Sequence, residues 1–307
     1  MSKKMFWLVS IVGILLLGGI VYANSIYQNV STTLETIHEP EIRKVSELRE
    51  TKVELVEKEP ISVLLLGVDE RDADIGRSDT IIVLTANPSL ASIKVLSIPR
   101  DTYTEIIGLD KKDKLNHAYA FGGIDMALHS VENLLTIPID YVVQVNMESF
   151  LEIVDSVGGV TVENPSAFEE NGYQFAAGPI HLNGDSALSY VRMRKNDPLG
   201  DFGRQERQKQ VLLGILKEGA SFNSLLNYKE LLTSLADNIR TNMTFGQMMD
   251  IQKGYKTSLT NVESITLTNG SGQRMDGIWY YVPNDKEMSN VTRTLKEHLE
   301  LLDDQRE

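Results

Sequence analysis

Ile61-Ser62-Val63-Leu64-Leu65-Leu66-Gly67-Val68-Asp69 is a short apolar run that ends on a glycine and a carboxylate. Apolar runs of this length, bounded by turn residues, read as buried strands. Two more follow closely: Thr80-Ile81-Ile82-Val83-Leu84-Thr85-Ala86 and Ser92-Ile93-Lys94-Val95-Leu96-Ser97-Ile98, with Asn87-Pro88-Ser89 as the turn between them. Further along, Ile124, Ala127, Leu128, Val131 and Leu135 fall on one side of a helix over residues 122–135. Tyr141-Val142-Val143-Gln144-Val145 reads as a strand, residues 147–157 as a helix stopped by Gly158-Gly159, and Val160-Thr161-Val162 as a strand again. Residues 178–182 read as a loop, followed by a short helix through Asp185 into Ser189. Helices are expected at 204–217, 228–238, 245–254 and 285–302, with Ile265-Thr266-Leu267 as the last core strand. Strands interleaved with helices predict α/β layers.

The N-terminus has a different character. Residues 5–23 are nineteen residues without a charge, long enough to cross a bilayer core of about 30 Å as a helix. Trp7 and Tyr22 sit near the two ends, where aromatic rings favour the interface. Lys3 and Lys4 place residues 1–4 in the cytoplasm and everything after Ala23 outside, a single-pass type II arrangement. A cleaved signal peptide is the competing reading. The length of the run and Tyr22 within Val21-Tyr22-Ala23 weigh against cleavage. Residues 24–59 are polar and charged and read as a stem, which leaves residues 60–307 as the folded domain outside the membrane.

Composition excludes several chemistries. The 307 residues contain no cysteine, so there is no thiolate metal site and no cysteine nucleophile. The five histidines form no His-x-x-x-His pair, which argues against a helix-borne zinc hydrolase. A net charge of −13 argues against nucleic-acid binding.

Against that acidic background one segment is basic. From Tyr190 to Gln210 there are six Lys/Arg and three Asp/Glu, a local balance of +3. Clustered guanidinium forks suit a specific anion, since they match phosphate oxygens in pairs. Arg192 and Arg194 are two apart and would share a face of a strand, while Arg204, Arg207 and Gln208 would share a stripe of a helix that Asp201 could cap. The bland alternative is a solvated basic surface. A second segment supplies complementary groups. Asp69 and Asp79 emerge together if their strands are neighbours, and two carboxylates plus phosphate oxygens are a usual way to hold Mg²⁺. Arg77 lies between them and can neutralise a further oxygen. Arg100, after Pro99, reaches the same edge if the strands run together, and Asp101 either orients Arg100 or accepts a proton. Asn116 and His117, just before a helix, are within possible reach but fit capping or packing as well.

The ordered set resembles the LytR–CpsA–Psr family. It comprises Leu66-Gly67-Val68-Asp69, Gly76-Arg77-Ser78-Asp79-Thr80, Ser97-Ile98-Pro99-Arg100-Asp101-Thr102, Leu115-Asn116-His117-Ala118-Tyr119 with Gly122-Gly123, Val157-Gly158-Gly159-Val160 and Leu182-Asn183-Gly184-Asp185-Ser186-Ala187-Leu188, then Tyr190-Val191-Arg192-Met193-Arg194 with Asp201, Arg204, Arg207 and Gln208. Ser186 departs from the Ala that the resemblance leads one to expect. The resemblance implies a three-layer α/β/α sandwich with a mixed central sheet, after one transmembrane helix. It implies transfer of an anionic glycopolymer, wall teichoic acid in members of this layout, from undecaprenyl diphosphate to a peptidoglycan hydroxyl as a phosphodiester. The polyprenyl chain would lie in an apolar tunnel. By matching position, Asp69 and Asp79 would hold Mg²⁺, with Mn²⁺ as the alternative. Arg77, Arg100, Arg192, Arg194 and Arg204 would clamp the diphosphate, with Arg207 and Gln208 completing the pocket. Arg100, Asp79 and Asp101 would be the catalytic set, and Asp79 and Asp101 are both open as the base. A lipid-carrier pyrophosphatase and a non-catalytic wall sensor or regulator remain as alternatives.

Overall fold

A computed structural model of the chain describes residue 42 and residues 45–69, 76–194, 197–219 and 239–302. The expected membrane segment, 5–23, and the expected helix at 228–238 lie outside the described residues. Among those described, no helix is long and apolar enough to cross a membrane.

The strands are β1 (Ile61–Val68), β2 (Ser78–Asn87), β3 (Ser92–Ser97), β4 (Tyr103–Ile106), β5 (Lys111–Lys114), β6 (Tyr141–Asn146) and β7 (Val160–Asn164). They continue with β8 (Phe168–Glu170), β9 (Tyr173–Phe175), β10 (Gly178–Leu182), β11 (Ile239–Thr241), β12 (Asn261–Thr266), β13 (Ser271–Met275) and β14 (Ile278–Val282). The helices are α1 (Leu115–Leu135), α2 (Met147–Ser156), α3 (Gly184–Arg192), α4 (Asp201–Gly219), α5 (Phe245–Tyr255) and α6 (Asp285–His298).

The central sheet is mixed, in the order β11-β6-β1-β2-β3-β12. β1 pairs antiparallel with β2 and parallel with β6, and β2 pairs antiparallel with β3. β1, β3 and β6 therefore end at the same edge, where β2 begins.

Both faces of the sheet are covered, which explains runs that are apolar throughout rather than alternating. Leu64, Leu66 and Val68 point into a core shared with Leu128 and Val131 of α1 and Leu295 of α6. Val63 and Leu65, one residue out of phase, pack with Leu212 and Leu216 of α4 and Ile251 of α5. Leu64 and Leu66 are 0% and 1% exposed, each stabilising the fold by about 1.5–3 kcal/mol. A third cluster joins Val154, Val160, Tyr190 and Val211 beside the sheet.

Several expectations change. Residues 178–182 are a strand, not a loop: Ile180 pairs with Val162 in the β7–β10 ribbon and Leu182 is buried. Pro179 is tolerated because a two-stranded ribbon has only edges. The basic segment 190–194 is not a strand. α3 runs on to Arg192, and Asn183 and Ser186 form the capping box that starts it. The Ser186 hydroxyl thus has a structural role that an Ala would lack. β12 is the last strand to join the central sheet, and an unexpected β13–β14 hairpin follows it. The packed core also begins upstream of Pro60. Val53 and Leu55 are buried in the second core, Ser46 Oγ donates to Glu132 at 2.6 Å, and Arg49 pairs with Asp140 at 2.5 Å. Isolated apolar residues in a polar stretch carry no period, so these contacts leave no mark in the sequence.

Candidate functional site at the edge of the sheet

At that edge β1 and β2 come very close. Gly67 faces Thr80 across the ladder, and a Cβ at position 67 would lie 2.8 Å from Thr80 Cβ. Glycine permits the approach. Asp69 N–H then donates to Arg77 O at 3.3 Å, so the chain leaves β1 and enters β2 side by side. Asp69 and Asp79 both line one cavity of about 420 Å³. Its wall also carries Arg192, Arg204 and Gln208, with Leu65, Ile82, Val143, Phe150, Leu212 and Ile215 beyond them. Leu65 and Ile82 are ladder partners inside the sheet, whereas the charged residues of β1 and β2 sit at its edge. The cavity is thus apolar along the sheet face and charged at its mouth.

Arg100 follows β3 to the same place. Its Nη1 donates to Asp79 Oδ2 at 2.6 Å, and its Nε lies 3.8 Å from Asp101 Oδ2. Burial pulls the Arg100 pKa down, but Asp79, Asp101 and Asp201 outweigh it and hold the value above the ordinary one. Arg204 pairs with Asp201 at 2.8 Å and is 8% exposed. Burial, with repulsion from Arg100 and Arg194, pushes its pKa down despite Asp201 and Asp79. Arg100 and Arg194 therefore both act on Arg204 through space, a concentration of positive charge that a multiply charged anion would relieve. Arg100 Nε and Arg204 Nε are buried donors with no hydrogen-bond acceptor among the described residues.

The expected residues divide. Asp69, Asp79, Arg100, Arg192, Arg204 and Gln208 meet at the mouth. Arg77 and Arg194 are exposed beside it and are not in the cavity wall. Arg207 is not brought into the mouth. Its Nη1 donates to Asp197 at 2.5 Å, its Nε to Tyr190 O at 3.0 Å and its Nη2 to Met193 O. On α4 the i,i+4 pair Arg204 and Gln208 faces the cavity, while Arg207 braces the turn that presents Arg192 and Arg194. Asp201 opens α4 from inside its first turn and grips Arg204. Of the two carboxylates weighed as base, Asp79 lines the cavity; Asp101 is held outside it by Lys114 at 2.7 Å. Asn116 N–H donates to Arg100 O at 3.0 Å, and His117 pairs with Asp113 at 3.1 Å.

Sequence reading missed Lys114, Asn146 and the β14 hairpin. Asn146 caps α2 and lines the cavity. A polar residue between an apolar strand and a helix was the available signal. Tyr281 N–H of β14 donates to Asp101 O at 2.9 Å, and the Tyr281 ring meets Phe202 of α4 edge-on at 6.0 Å. The hairpin so ties the Arg100 loop to the start of the arginine helix.

An apolar cavity beneath an α/β sheet edge, with arginines and an acid pair at its mouth, is the layout of a protein that holds an amphiphile by an anionic head. The chain belongs to the LytR_cpsA_psr family, whose model matches residues 24–297. It is 50% identical over 302 residues, 98% of this chain and 99% of the relative, to the polyisoprenyl-teichoic acid–peptidoglycan teichoic acid transferase TagU of Bacillus mycoides. Among solved structures, it resembles a transcriptional regulator from Enterococcus faecalis at a TM-score of 0.75 and 39% identity, covering 82% of this chain and 91% of that one. It also resembles TagT bound to LIIa-WTA at a TM-score of 0.72 and 32% identity, covering 83% and 96%.

Proposed function

We propose that this protein transfers wall teichoic acid from an undecaprenyl diphosphate carrier to a peptidoglycan hydroxyl. The observation that carries the reading is the joined cavity, with an apolar bore and Asp69, Asp79, Arg192 and Arg204 at its mouth. A full-length relative at 50% identity with that activity in its name supports it. The hydroxyl oxygen bonds to the polymer-bearing phosphorus and gives its proton to a carboxylate, Asp79 being the candidate in the cavity wall, while the bridging P–O bond breaks and polyprenyl phosphate leaves. Such a transfer asks a protein mainly for positioning and charge stabilisation. Arg100, gripped by Asp79 and Asp101, and Arg204, gripped by Asp201, supply fixed positive charge where the leaving phosphate gains negative charge.

Among the described residues no group of three or more His, Cys, Asp or Glu side chains could cage a metal. Asp69 and Asp79, two carboxylates in one wall, do suit Mg²⁺, which takes one or two carboxylates and fills its shell with water and phosphate oxygens. Mn²⁺ accepts the same hard ligands. When bound, such an ion would neutralise charge on the diphosphate. The uncharged run at 5–23 would anchor the protein with residues 1–4 in the cytoplasm and the domain at the outer surface of the membrane.

Incubating lipid-diphosphate-linked polymer with the protein, with and without peptidoglycan, tests the reading. Wild type should transfer only when the acceptor is present. Arg100→Ala should lose about 10²–10³-fold in rate, about 2.7–4 kcal/mol, while keeping its fold. Equal turnover without acceptor would make the protein a pyrophosphatase, and wild-type transfer by Arg100→Ala would remove the clamp from the reaction.

A further inference from the structure

Beside the mouth lies a set of side chains that the scheme above does not use. β5 is Lys111-Lys112-Asp113-Lys114, a basic stretch in an acidic chain, and it runs directly into α1. α1 is interrupted at Gly122 and Gly123, and Gly123 adopts φ 62°, ψ −151°, a conformation essentially confined to glycine. At this break Phe121 is left 50% exposed.

The ring is nonetheless held. Lys111 Nζ sits 4.3 Å from its centroid, and His117 meets it edge-on at 5.9 Å. His117 is fixed in turn by Asp113 at 3.1 Å. Burial pushes the Asp113 pKa up, but hydrogen bonds from His117 and the Lys114 N–H hold it below the ordinary value, so the carboxylate stays charged. Behind them Tyr103 and Tyr280 pack edge-to-face at 5.1 Å, with Lys114 Nζ 5.7 Å from the Tyr280 centroid. Lys114 then pairs with Asp101, whose other neighbour is Arg100. An unbroken series of contacts thus runs from Phe121 to Arg100, and none of the ledge residues belongs to the wall of the lipid cavity.

We propose that this ledge is the acceptor subsite, where a peptidoglycan saccharide lies against Phe121 with its hydroxyl directed at the phosphorus beside Arg100. The proposal rests on the transferase reading. In-line displacement requires the nucleophile opposite the leaving phosphate. In the transferase reading the lipid and its phosphate fill the cavity, which Asp79 lines and Asp101 does not, so the acceptor approaches Arg100 from the Asp101 side, where the ledge is. Its chemistry suits that occupant. An aromatic face packs on the apolar face of a sugar, Asp113 and His117 offer an acceptor and a donor to hydroxyls, and the lysines complement the carboxylates of the peptide stems.

The test uses the full chain and initial rates of transfer, varying acceptor and lipid-linked donor separately. Phe121→Ala and Lys111→Ala should each raise the acceptor KM by about tenfold, with kcat and the donor KM near wild type. Phe121 is at the surface, so the fold should survive, and an unshifted Tm checks this. Trp279→Ala, which removes another exposed aromatic on the opposite face of β14 from Tyr280, should leave the acceptor KM unchanged. Acceptor KM values at wild-type level in both ledge variants overturn the proposal while leaving the transferase reading standing. A shift in donor KM instead assigns the ledge to the anionic polymer and overturns it as well. Failure of wild type to transfer at all removes the transferase reading and this inference with it.

Discussion

Arg204 and Arg207 lie three residues apart on α4 and do different work. Arg204 faces the cavity with Asp201 as its only ion-pair partner among the described residues. All three nitrogens of the Arg207 fork are engaged, by Asp197 and two backbone carbonyls, and both side chains of that pair are 6% exposed. Removing one partner of a buried pair leaves the other charge without compensation. Arg207→Ala should therefore lower stability by about 3–5 kcal/mol in denaturant unfolding. Arg194→Ala, at an exposed position near Arg204, should slow transfer with the midpoint unchanged. A stable Arg207→Ala protein deficient only in transfer would return Arg207 to the anion site. The sequence made these arginines look alike, because spacing reports a shared stripe but not whether a fork meets ligand or main-chain carbonyl. The carboxylates were easier to read. Asp69 and Asp79 terminate apolar runs, and a charge at a strand end has one edge to go to.

Among the elements, α6 is fastened to the sheet by a histidine. His298 is 2% exposed; its Nδ1 is 2.7 Å from Thr85 Oγ1 on β2 and its Nε2 2.8 Å from Ser92 Oγ on β3. Burial, with Lys94 nearby, lowers its pKa from 6.5 to about 4. The folded state so prefers the neutral ring. This contribution to stability is complete above pH 6.5 and is lost as pH falls towards about 4, because the unfolded chain takes up the proton first. Unfolding midpoints should fall between pH 6.5 and 5 in wild type, and His298→Gln should be less stable at pH 7 but flat across that window. Equal slopes would mean that other groups set the acid sensitivity. The core strands and α1, α2 and α5 were legible, because each is an apolar run or stripe between turn residues. The arginine segment was not: alternate charges suggested a strand, but the capping box at Asn183 and Ser186 and the buried trio Ala187, Tyr190 and Val191 extend α3 into it as far as Arg192. The β13–β14 hairpin escaped notice because three of its five β14 residues are half-buried or exposed, leaving no clean alternation.

Over the whole molecule, two cores back to back on one sheet leave a gap between β1, β2 and β6 on one side and α2 and α4 on the other, and the charged mouth closes it. The anchoring of residues 45–59 by Arg49–Asp140 and Ser46–Glu132 makes the last part of the expected stem belong to the folded body. A sequence reading could place the charges at one edge. It could not see the bore, because apolar side chains facing a lipid have the same period as those facing a core. The direct test of the account is the affinity for a long-chain polyprenyl diphosphate and for a short-chain, water-soluble diphosphate, measured for wild type, Leu212→Trp and Arg192→Ala. Leu212→Trp fills the bore and should weaken the long-chain ligand by about tenfold or more while sparing the short one, and Arg192→Ala should weaken both. Undiminished binding of the long-chain ligand by Leu212→Trp would contradict the claim that bore and mouth hold one molecule.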